Sequence, residues 1–125
     1  MSRSTVLVVE DNPLNLKLIR DVLGHAGYRV LDAGDAEQGI ALARSERPDL
    51  VLMDVQLPGI DGIEALARLR ADAQTAYIPV VALTALAMKQ DRQRCLDAGF
   101  DGYLEKPVSV PALPGQVEAL IGARR

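Results

Sequence analysis

The sequence predicts an α/β protein in which five parallel strands form one sheet with helices on both faces. Two patterns carry that expectation. Short β-branched apolar runs alternate with helix-period segments along the 125 residues, and no linker or low-complexity tract interrupts them. Several runs are also apolar almost throughout, which fits strands covered on both faces, since a strand with one wet face would alternate.

The first strand is expected over TVLVVE (5–10), followed by Asn12 and Pro13, a capping residue ahead of a proline suited to a helix's first position. Leu14, Leu18, Ile19, Val22 and Leu23 are expected to share the buried face of that helix, and Gly27 to end it. YRVLDA (28–33) reads as the second strand. Asp35 with Gln38 resembles a capping box opening the second helix, and Pro48 stops it. DLVLMD (49–54) is the third strand, with a helix over 62–72 behind it. IPVVALT (78–84) is the fourth, followed by a helix over 86–98 that Gly99 closes, and the weaker FDGYLE (100–105) is the fifth. The last segment, VSVPALPGQVEALIGARR, departs from a plain helix. Pro111 fits a first turn, whereas Pro114 is expected to delay the regular helix by about a turn.

Composition excludes several classes of function. With 49% hydrophobic residues the chain can build a sizeable core, so one domain over residues 1–125 is expected. The net charge of −3 is mild, and the 14 basic residues are scattered apart from Arg124 and Arg125, so no nucleic-acid footprint exists. Cys95 is the only cysteine, which rules out an internal disulfide and a cysteine-based zinc site. Its expected role is that of a small buried helix residue. The opening MSRSTVLVVEDN has too short an apolar run for a signal peptide, and no later run approaches the ~20 residues of a membrane span. A soluble, cytoplasmic protein is the expectation.

The polar residues fall at one place in this architecture. Open α/β sheets put ligands at the carboxyl ends of their strands. Glu10 and Asp11 follow the first strand, Asp54 ends the third, Thr84 ends the fourth and Lys106 follows the fifth. Singly, each reads as a turn or cap residue; together they make a constellation on one edge. Clustered carboxylates repel one another unless a cation joins them. Mg²⁺ is the natural choice, a hard ion that takes oxygen ligands and leaves positions for a phosphoryl group. A carboxylate can attack phosphorus to form an aspartyl phosphate, and a lysine ammonium and a hydroxyl are suitable partners for the transferred oxygens. Asp54 is therefore the candidate nucleophile, with Lys106 and Thr84 as the supporting groups.

The motifs VVEDN (8–12), LVLMDVQLPGIDG (50–62), VVALTA (80–85) and GYLEKP (102–107) resemble the response-regulator receiver domains of two-component signalling across nearly the whole chain. The resemblance implies a flavodoxin-like doubly wound (βα)5 parallel sheet of strand order 2-1-3-4-5. It implies that Asp54 is the phosphoacceptor, Asp11 a direct metal ligand, Glu10 a partner through metal-bound water, and the backbone carbonyl of Gln56 the remaining protein ligand. The cofactor would be Mg²⁺, with Mn²⁺ able to substitute. Thr84 and Lys106 would bind the phosphoryl oxygens, the Lys106–Pro107 peptide would be cis, and Tyr103 would be the aromatic partner of Thr84 in a phosphorylation switch.

Within the family, the segment 84–107 resembles hybrid-kinase receivers and single-domain DivK-type cell-cycle regulators. The length leaves no room for an output domain, so signalling by docking to a downstream protein is expected, through the fourth helix, fifth strand and fifth helix. The expected assembly is a monomer or weak dimer. The phosphoryl donor would be a histidine of a kinase or phosphotransfer protein, because the one histidine here, His25, lies near the end of the first helix. Gln56 and Leu86 hold the places, two residues after the acceptor and after the switch threonine, that influence the hydrolytic water in this family. Leu86 offers that water no polar atom, so slow dephosphorylation is expected. The rival within signalling is a phosphate sink. A haloacid-dehalogenase-type phosphohydrolase would need a second acid where Gln56 stands, and a flavin or nucleotide carrier would need glycines where EDNPLN offers two acids.

Overall fold

The computed structural model describes residues 4–57, 59–85 and 89–122. Five strands alternate with five helices: β1 Thr5–Val9, α1 Pro13–His25, β2 Arg29–Ala33, α2 Ala36–Glu46, β3 Leu50–Asp54, α3 Gly62–Ala71, β4 Val80–Thr84, α4 Lys89–Ala98, β5 Gly102–Glu105 and α5 Leu113–Gly122. The strands pair in the order β2-β1-β3-β4-β5, every pair parallel. This is the flavodoxin-like α/β fold. The strand order reverses between β1 and β3, and a crevice for ligands opens there at the carboxyl ends of the strands.

Strand pleating explains why the runs are apolar throughout. Val6 and Val8 of β1 join Leu50 and Leu52 of β3 in one core, with Ile19 and Leu23 of α1 and Leu113, Val117 and Ile121 of α5. Leu7 and Val9 face the other way, into a core shared with Val51 and Met53, Ala43 of α2, Leu66 and Leu69 of α3 and Cys95 of α4. All five residues of β3 and of β4 are buried. Burial on both faces leaves the strand ends as the place where these elements can carry polar groups.

The punctuation acts largely as expected. The Asn12 side chain accepts hydrogen bonds from the N–H groups of Leu14 and Asn15 at 2.9 and 3.2 Å, and Pro13 begins α1. Asp35 accepts from the Gln38 N–H at 2.8 Å, but the Gln38 amide donates back to the Asp35 carboxylate at 3.3 Å, so only half of the capping box forms. Arg47 ends α2 in the left-handed region at φ 46°, just before Pro48. In α5 the regular helix starts only at Leu113, after a turn in which Ser109 O accepts from the N–H groups of Ala112 and Leu113, so Pro114 sits in the tolerated first turn.

Three expectations need correction. Leu14 and Leu18 do not join the buried face of α1: Leu14 is 79% exposed, and the inward stripe runs through Leu16, Ile19 and Leu23. β4 starts at Val80 rather than Ile78, because Pro79 has no N–H for the ladder. β5 is shortened to Gly102–Glu105, since Asp101 turns its carboxylate to the Val80 N–H at 2.8 Å and to Arg70 at 2.7 Å. Residues 86–88, at the expected start of the fourth helix, lie outside the described residues.

Candidate functional site

Each charged group at the rim is delivered by a strand end. The Glu10 N–H still bonds Ala33 O at 3.0 Å, so the sheet holds its backbone while the side chain reaches into the crevice, 1% exposed. Asp54 closes β3 and is 3% exposed. Beyond it the chain folds back, with the Gly62 N–H on Val55 O at 3.0 Å. A side chain at Gly62 would put its Cβ 2.6 Å from Asp54 O and 2.8 Å from Val55 Cα, so this close approach requires glycine. The Lys106 N–H donates to Thr84 O at 2.8 Å, carrying the ladder one step past β5 and aiming the lysine at the crevice; the Lys106–Pro107 bond is cis.

The side chains converge tightly. Lys106 Nζ donates to Asp54 Oδ2 at 2.8 Å and to both oxygens of Glu10, at 3.3 and 3.2 Å. The second oxygen of Asp54 accepts from the Gln56 N–H at 2.9 Å, and Asn15 Nδ2 donates to Glu10 Oε1 at 3.0 Å. Asp11 is exposed, yet one oxygen from each of Glu10, Asp11 and Asp54 lies within 4.8 Å of the others. Thr84 is buried at the end of β4, opposite Glu105 in register. Tyr103 pairs with Ala82 two residues earlier and is half-buried. Glu10, Asp11, Asp54 and Lys106 thus come together in one cluster, with Thr84 at the end of the neighbouring strand. Leu86 lies outside the described residues.

The charges do not balance. Two buried carboxylates and a third at the mouth share one ammonium. Burial first, and the neighbouring Asp54 next, push Glu10 from 4.5 to about 7, against the opposing effects of Asn15 and Lys106. Burial also works against the Lys106 ammonium, but its hydrogen bond to Asp54 and the attraction of Asp54 and Glu10 outweigh it and raise its pKa above the ordinary value. A cluster of hard oxygen donors with surplus negative charge suits a small divalent cation.

A buried carboxylate at a strand end, set among further acids and facing a lysine, defines a domain that takes up a phosphoryl group. The chain belongs to the response regulator receiver domain family, whose model matches residues 6–118. It is 42% identical over 118 residues to the polar-differentiation response regulator DivK of Brucella anthropi, covering 94% of this chain and 96% of that one. A DivK from Brucella ovis is 41% identical over the same length. Among solved structures, the receiver domain of a sensor histidine kinase from Pseudomonas aeruginosa, with a magnesium ion coordinated in its active-site cleft, superposes with a TM-score of 0.88 at 39% identity, covering 97% of this chain and 99% of that one. A response regulator structure from Chloroflexus aurantiacus gives a TM-score of 0.90 at 30% identity, covering 97% and 99%. Receiver domains are phosphoacceptors served by histidine kinases, and this chain is a phosphoacceptor signalling protein of the same kind. No helix among the described residues is long and apolar enough to cross a membrane.

Sequence reasoning missed two contributors. Asn15, one turn into α1, steadies Glu10; its position five residues after that acid was the available signal. Arg92 of α4 lies over the Tyr103 ring, a contact that no local pattern announces.

Proposed function

We propose that Asp54 accepts a phosphoryl group from a phosphohistidine on another protein and that the resulting change is read at the surface of α4, β5 and α5. The observation that carries this reading is the 2.8 Å contact between Lys106 Nζ and Asp54 Oδ2 inside a cluster of three acids. One Asp54 oxygen attacks phosphorus, an O–P bond forms, and the N–P bond of the donor breaks, returning the electron pair to the imidazole. Gln56 N–H holds the other oxygen and so orients the carboxylate. Lys106 is already hydrogen-bonded to the attacking group and turns to the phosphoryl oxygens as negative charge builds there. Thr84, at the end of β4, supplies the hydroxyl donor.

Glu10, Asp11 and Asp54, with the Gln56 carbonyl, would hold Mg²⁺, or Mn²⁺ in its place, which neutralises charge on the transferred group when bound. The donor set supports this, being all oxygen and carrying more negative charge than Lys106 offsets. The same residues would let the domain assist its own phosphorylation and later dephosphorylation. Slow loss of phosphate, expected from Leu86, would leave termination to reverse transfer or a phosphatase. Similarity to polar-differentiation regulators favours a docking regulator over a phosphate sink.

Beryllofluoride, a phosphoryl mimic, tests the site without a kinase. With Mg²⁺, fluorine NMR is expected to show bound fluoride signals on the wild-type protein that vanish in Asp54→Asn. Equal binding to both proteins would reject the assignment.

A further inference from the structure

Arg92 stands outside the acid cluster but grips the strand that leads to it. Its guanidinium lies 5.3 Å from the centroid of the Tyr103 ring, and a terminal nitrogen donates to Glu105 Oε1 at 2.6 Å. Tyr103 and Glu105 are two residues apart on β5, so pleating turns both toward one face. On that face Tyr103 packs against the core cluster that contains Cys95 of α4. Glu105 lies opposite Thr84 and immediately precedes Lys106. A single α4 side chain therefore holds both the aromatic residue and the end of the strand that delivers the site lysine.

The grip suits a bias between two arrangements better than it suits structural support. The Arg92–Glu105 pair is 38% and 46% exposed, and pairs so exposed contribute little to global stability. Arg92 Nε is buried without a hydrogen-bond acceptor among the described residues, which lowers the cost of leaving this arrangement. An inward move of the Tyr103 ring would break the ring contact and leave the Glu105 pair in place. The contact with the ring is thus made in one state and not the other, as a bias requires.

We propose that Arg92 is a positioning residue that holds Tyr103 against α4 in the resting protein and sets how strongly phosphorylation is coupled to the α4–β5 surface. The proposal rests on the assignment of Asp54 as acceptor and Tyr103 as its aromatic partner. Loss of the cation–ring contact is expected to shift the resting equilibrium toward the phosphorylated arrangement by about 2- to 5-fold.

The test uses 3-fluorotyrosine, which gives three fluorine signals, for Tyr28, Tyr77 and Tyr103, the last assigned with Tyr103→Phe. In Arg92→Met without phosphodonor, the Tyr103 signal is expected to move part of the way to its beryllofluoride-bound position while the other two stay fixed. Labelling of Asp54 by acetyl phosphate should quicken about 2- to 5-fold with unchanged Mg²⁺ affinity. Arg92→Lys keeps the cation and should resemble wild type; Glu105→Gln keeps the ring contact and should shift less than Arg92→Met. A wild-type shift with beryllofluoride, combined with a resting Tyr103 signal in Arg92→Met that matches wild type, would overturn the role of Arg92 alone. No wild-type shift at all would count against the Asp54 and Tyr103 reading and remove the proposal with it.

Discussion

Replacing Glu10 with Gln is expected to stabilise the metal-free protein above neutral pH. In the folded state burial and Asp54 raise this group from 4.5 to about 7, so the native protein binds a proton there that the unfolded chain has released. Stability therefore falls as pH rises from about 4.5 through about 7. At about 1.4 kcal/mol per unit, the ionised Glu10 costs the native state about 3 kcal/mol at pH 8. The cost is not discounted for solvent, because the side chain is 1% exposed. Gln keeps the shape, carries no charge at any pH, and can still accept from Lys106. Urea denaturation without metal at pH 5 and pH 8 should show wild type losing stability between the two and Glu10→Gln losing markedly less. Saturating Mg²⁺ should restore wild type far more at pH 8 than at pH 5, since metal and proton compete for the same oxygen. Parallel pH profiles for the two proteins would refute the argument that buried charge at Glu10 is the source of the instability.

Other substitutions separate the parts of the site. Asp11→Ala removes an exposed acid, so stability should change by less than about 0.5 kcal/mol while Mg²⁺ affinity, read by calorimetry, falls at least about tenfold. Lys106→Ala leaves two buried carboxylates without their cation; the metal-free variant should lose about 3 kcal/mol in urea titration and recover part of it with Mg²⁺. It should still be labelled by acetyl phosphate, but without the Tyr103 fluorine shift that wild type shows. Gly62→Ala forces a methyl group against the backbone of Asp54 and Val55, which predicts a loss of about 1–3 kcal/mol and slower labelling.

The sheet was legible because strands buried on both faces leave an unmistakable apolar run, and the rim because only the residues at its ends are polar. What periodicity could not supply was distance across strands. Lys106 is 52 residues from Asp54 and 96 from Glu10, and its bridging of both acids depends on β5, β3 and β1 ending level in the sheet. The Arg92–Tyr103 contact depends likewise on the packing of α4 against β5. The misreading of α1 has a different cause. Leu14 and Leu18 follow an i, i+4 spacing as regular as that of Ile19 and Leu23, and only the docking angle decides which stripe is covered.

The central claim is that Asp54 is the phosphoacceptor of this cluster. Peptide mapping by mass spectrometry after reaction with acetyl phosphate and Mg²⁺ tests it most directly. The phosphoryl group should be found on Asp54, its yield should fall when the metal is chelated, and Asp54→Asn should carry none. A wild-type label on any other residue, or undiminished labelling of Asp54→Asn, would contradict the account.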